Sequence, residues 1–109
     1  YHILFFAGFA PETAPNPEQA KIFVDTWNQK GWTWDGIAEG SRGYDAILTL
    51  VEAIQLGGGG SREQIRAGLE KVDIMGLTAH IKFDATHDAQ PNIILVEIKD
   101  GKSQIVSCD

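Results

Sequence analysis

Several groups of residues in this 109-residue sequence have types and spacings that could do chemistry. Asp84, His87 and Asp88, with His80 close by, offer carboxylate and imidazole ligands for a metal. That stretch reads as a turn, however, where Asp is expected because its carboxylate hydrogen-bonds its own backbone. It lacks the Gly and distal Glu of a calcium loop, and the helical His spacing of a zinc site. Tyr44-Asp45 could be an acid–base pair, but an Asp in the first turn of a helix has an ordinary role opposite the macrodipole. The run Gly57-Gly58-Gly59-Gly60 could cradle phosphate, yet no Gly-Lys-Ser/Thr follows it and no strand precedes it. The one cysteine, Cys108, cannot form an internal disulfide, and no base is in evidence to make it a nucleophile. No nucleophile–base pair, metal set or cofactor motif emerges, so an enzyme is not expected.

A binding site is a better expectation. From Trp32 to Arg42, two tryptophans, Asp35, Glu39 and an arginine gather just before a helix. Backbone N–H groups at a helix start can receive a polar ligand, and aromatic rings can wall it in.

Composition narrows the partners. Hydrophobic residues make up 43 % and charged residues 22 %, which describes a globular chain with the length of one small domain. The net charge is −6 and the nine Lys and Arg are scattered, so no nucleic-acid surface is expected. No apolar run approaches the roughly 20 residues that span a bilayer. The opening YHILFFAGF has neither a basic region before it nor a small-residue cleavage site after it, and does not read as a signal peptide.

The elements that must position these residues are legible. Ile3 to Phe6 is an unbroken apolar run, suited to a strand buried on both faces of a parallel sheet. Such a strand needs neighbours and covering helices that so short a chain does not supply. Asn16 as N-cap, Pro17 at the first helical position and Gln19 closing a capping box start a helix. Ala20, Phe23, Val24 and Trp27 form its stripe, and Gly31 ends it. Ser41 is the expected N-cap of a second helix, with Tyr44, Ile47, Leu48, Val51 and Ile54 on one stripe and Gly57 at its end. A third runs from about Arg62 to Val72, with Ile65, Leu69 and Val72 inward, behind a Ser61/Gln64 capping box. The four glycines therefore fill a helix-to-helix corner of ordinary length. A rewritten linker there would leave the fold unchanged. TAHIKF is a strand with one wetter face, DATHDAQP turns, and NIILVEIKD returns as a strand. Asp100-Gly101 is a hairpin dipeptide leading to KSQIVSC.

The order of these segments resembles the type I periplasmic substrate-binding proteins of ABC importers, in the leucine/isoleucine/valine- and amide-binding branch. The resemblance is carried by Gly-Tyr-Asp-Ala at 43–46, the glycine and serine corner at 57–61, Ile-Lys-Phe-Asp through Asp88, and Val96 to Lys102. It covers nearly the whole chain. His80 stands where the family often has Pro, and His87 where its turn has Gly. Glu39 stands where the family often has an aromatic ligand contact, which favours a ligand with an amine or other donor.

The resemblance implies an α/β fold, about one third of a two-lobe, doubly wound architecture whose chains are about three times this length. Residues 1–109 would be the C-terminal segment, mostly in the first lobe, with hinge-crossing strands at its ends. It implies capture of a small amino acid-like or amide ligand by hinge closure, outside the cytoplasm, for an ABC permease. The remainder of the binding protein would be another chain or fragment. Glu39, Ser41, Arg42, Trp34 and Phe9 would face the ligand, with no cofactor, no metal and no catalytic residue. The alternatives are a ligand-sensing module of a receptor and a piece of an engineered split binding protein.

Overall fold

In a computed structural model, residues 3–7 are described by their backbone, and residues 9–90 and 93–106 with their side chains. Strand β1 (Ile3–Ala7) leads through a short 3-10 turn (Pro11–Thr13) to helix α1 (Pro17–Gln29). A second 3-10 turn (Trp34–Gly36) runs directly into α2 (Ile37–Gly57), followed by α3 (Arg62–Leu69). Strands β2 (Asp73–Met75), β3 (His80–Lys82), β4 (Ile94–Lys99) and β5 (Lys102–Ile105) complete the described chain.

The expected caps of α1 and α3 form, with one exchange of partners. Asn16 Oδ1 accepts from Gln19 N at 3.2 Å. The Gln19 side chain, expected to reach back to Asn16, donates instead to Tyr44 Oη at 2.7 Å and ties α1 to α2. Ser61 and Gln64 close both halves of their box at the head of α3. At the glycine corner, Gly58 has φ of 76° and ends α2 in the left-handed region. Gly57 lies so close to the Gln64 carbonyl that a Cβ would not fit.

Helix α2 corrects two expectations. It begins at Ile37, so Ser41 is not its N-cap; Ser41 Oγ turns inward and donates to Ala38 O at 2.6 Å. Its buried face is Ile37, Ser41, Asp45, Thr49 and Ala53, one residue in every four. Of the expected apolar stripe, Tyr44, Leu48 and Ile54 are half-buried, while Ile47 and Val51 are exposed. Close approach decides which face turns inward: Gly68 of α3 sits against the Ala53 carbonyl with no room for a Cβ. Small residues permit that approach; large apolar ones forbid it.

A buried carboxylate completes the packing of α2. Asp45 accepts from Leu77 N at 2.7 Å, Thr78 N at 2.8 Å and Thr78 Oγ1 at 2.6 Å, holding the turn between β2 and β3. Strand β2 has no counterpart in the expectations; it pairs antiparallel with β3, Ile74 opposite Ile81.

The main sheet has the order β1-β4-β5 and is antiparallel throughout. The parallel setting expected for Ile3 to Phe6 is corrected: β1 has one strand neighbour among the described residues, and β4 runs against it. An apolar run reports burial, whereas strand direction depends on how the chain returns. Asp100 and Gly101 both take positive φ, 52° and 74°, as a two-residue hairpin requires.

Among the described residues, burial falls into three small clusters around Ile94 and Val96, around Ala20 and Leu77, and around Ala53 and Val72. The radius of gyration is 16.0 Å, against about 13 Å for a compact domain of this length.

Candidate functional site

A ladder of rings fixes the loop before α2. Phe9 meets Phe23 edge-on at 6.0 Å, and Phe23 meets both Tyr44 and Trp27 at 5.7 Å. Trp27 meets Trp32 at 5.0 Å, and its indole N–H donates to Thr33 O at 3.1 Å. The Trp27 ring lies over Gly36 and Gly40, leaving no room for a Cβ at Gly40. Helix α1 thus holds the first turn of α2 in place and presents Trp34, a residue that remains 54 % exposed. Gly36 provides no side-chain cap, and the first amide of α2, Ile37 N–H, donates instead to Trp34 O of the preceding turn. In the same loop, the Thr33 hydroxyl beside Asp35 holds its carboxyl below the usual carboxylate range, helped by a backbone amide.

A groove of about 700 Å³ opens beside this turn. Phe9, Glu12, Trp34 and Ile37 line it from one side, and Val96 and Ile105 of the β4–β5 hairpin from the other. Of the five residues expected to face a ligand, it brings together Phe9 and Trp34. Glu39 and Arg42 lie outside its lining, on the exposed surface of α2, with Arg42 Nη1 3.5 Å from Glu39 Oε1. Ser41 is buried within its own helix, its hydroxyl already engaged. Glu12, Ile37 and Val96 went unnoticed in the sequence. Glu12 sits in an irregular Pro/Ala-rich stretch with no periodicity to give it a direction.

The other candidate groups have structural employment. Asp84 Oδ1 accepts from Thr86 Oγ1 at 2.7 Å, Thr86 N at 2.8 Å and Asp88 N at 3.1 Å, closing the turn. The Thr86 hydroxyl first, then those two amides, hold the Asp84 carboxyl below its ordinary range. His87 has φ of 67°, which explains why a glycine suits that position. His80 bonds Asp73 across the β2–β3 hairpin and lowers its pKa, with Lys82 adding to the effect. Among the described residues no three His, Cys, Asp or Glu are placed to share a metal ion. Cys108 lies outside the described residues. A second groove, between α3 and the Asp84 turn, is lined by Arg66, Leu69, Phe83 and His87, but no exposed tryptophan or helix start adjoins it. No described helix is long and apolar enough to cross a membrane.

No protein-family model and no curated protein matches the chain. Two solved structures do. One is the leucine-binding protein LivK of Thermotoga maritima, with TM-score 0.75 and 25 % identity over 96 % of this chain and 30 % of that one. The other, an extracellular ligand-binding receptor from Rhodopseudomonas palustris, has TM-score 0.72 and 18 % identity over 97 % and 34 %. This chain therefore spans about one third of the length of either.

Proposed function

We propose that this chain, whose fold is that of about one third of a type I periplasmic binding protein, is the C-terminal segment of an extracytoplasmic solute-binding protein. It captures a small amino acid-like or amide ligand and delivers it to an ABC permease, with no chemistry on the ligand. The observation that carries this reading is the superposition of nearly the whole chain on a leucine-binding protein. Residues 1–109 would lie mostly in the first lobe, with β1 and the β4–β5 hairpin near the hinge.

The geometry supports a ligand site in the groove. Phe9 and Trp34 supply aromatic walls, and Ile37 and Val96 an apolar floor. Glu39 and Arg42 pair with each other on the exposed face of α2, outside the lining of the groove. Ser41 takes no part. Closure follows if the ligand touches both lobes, since it then binds the closed state more tightly and shifts the population toward it.

The test is isothermal titration of the full-length protein with L-leucine, L-isoleucine, L-valine and acetamide, alongside small-angle scattering. Binding of one of these with a fall in radius of gyration is the expected result. Absence of binding by every member of the panel would overturn the reading.

A further inference from the structure

We infer that the groove receives the cationic end of its ligand, with Glu12 as the opposing charge. This rests on the solute-binding reading above and adds the chemistry that the site selects. Among the described residues lining the groove, Glu12 is the one that carries a charge; Ser103 and Gln104 are polar and neutral, and the rest are aromatic or aliphatic. No Lys, Arg or His of the described chain lies within ion-pair distance of Glu12. Glu39, the carboxylate that stands out in the sequence, already faces Arg42 at 3.5 Å and is outside the lining. The two acids therefore differ: one is paired with Arg42 on the helix surface, the other faces the groove with no counter-charge among the described residues.

The rings reinforce the sign. Phe9 and Trp34 present aromatic groups to the same space, and a ring face attracts an ammonium through its quadrupole. An anionic end would meet the Glu12 charge with no cation among the described lining residues to offset it. In an open, wet groove the attraction is modest, but closure that excludes water strengthens it. The ligand class is thus a short aliphatic molecule bearing a primary or substituted ammonium, inserted amine-first.

The experiment uses the full-length protein and three probes that share one branched tail: L-leucine, 3-methylbutylamine and 4-methylpentanoate. Titration calorimetry is expected to show the amine binding at least about tenfold more tightly than the carboxylate. Glu12→Gln, an exposed and nearly isosteric change, is expected to weaken the amine about tenfold and to close the gap between the two probes. Glu39→Gln should have a smaller effect on the amine, because its charge is already met by Arg42. Equal affinity for amine and carboxylate, or an amine affinity unmoved by Glu12→Gln, would overturn the inference. Binding of acetamide with none of the three probes would also overturn it, while leaving the solute-binding reading intact. Failure of every compound would remove both.

Discussion

Asp45 could be mistaken for a catalytic acid, being a buried carboxylate beside a tyrosine. Its oxygens are instead occupied by two backbone N–H groups and the Thr78 hydroxyl. Replacing it by alanine strands two amides in a buried turn, so Asp45→Ala should destabilise the protein by about 3 kcal/mol, measured by urea unfolding. The carboxylates of the surface behave differently. Glu39→Gln should weaken an amine-bearing ligand by no more than about threefold, given its exposure and its arginine partner. A loss of about tenfold or more would contradict its placement outside the groove. For Asp84, bonds from the Thr86 hydroxyl and two amides lower the folded pKa, so its contribution is present above the unfolded carboxylate value. It is lost as pH falls through the depressed folded value. Proton NMR of the Thr86 and Asp88 amides should show the turn loosening only in that acid window; loosening near neutral pH would contradict the assignment.

Helix α2 is positioned by side chains that it and α3 lack. Gly40 makes room for Trp27 and Gly68 makes room for the Ala53 carbonyl, but the two should not respond alike to a methyl group. An indole at the edge of the structure can tilt, so Gly40→Ala should cost about 1–2 kcal/mol and move the loop carrying Trp34. At Gly68 the obstacle is backbone, and separating two helices should cost about 3 kcal/mol or more. Thermal unfolding of both variants orders them, and a Gly68→Ala protein as stable as Gly40→Ala would refute the packing. The same contacts explain why the start of α2 was misplaced from sequence. Ser41 is a good N-cap by type, yet helix geometry continues through it because its hydroxyl bonds within the preceding turn. The corner at Gly57 to Ser61 was legible, since cap and capping box are local events.

At the scale of the molecule, apolar surface is left over. Ile47, Leu50 and Val51 form an exposed row on α2, with Ile47 64 % accessible, and the radius of gyration exceeds that of a compact chain. Under the proposed function the rest of the two-lobe protein covers this row. The 109 residues alone should therefore bind a hydrophobic dye and associate in sedimentation. A stable monomer that binds no dye would contradict the proposal.

Local chemistry was written plainly in the sequence. The caps of α1 and α3, the Asp100-Gly101 hairpin and the turn at Asp84 all arise from residues within a few positions of each other, where propensity and short hydrogen bonds decide. The order of those elements carried the resemblance to a two-lobe binding fold. Which face of α2 is buried, which way β1 pairs, and that Glu12 rather than Glu39 reaches the groove were not legible. These outcomes depend on close approach between segments far apart in the chain, and hydrophobic pattern records the demand for burial without recording the partner that meets it.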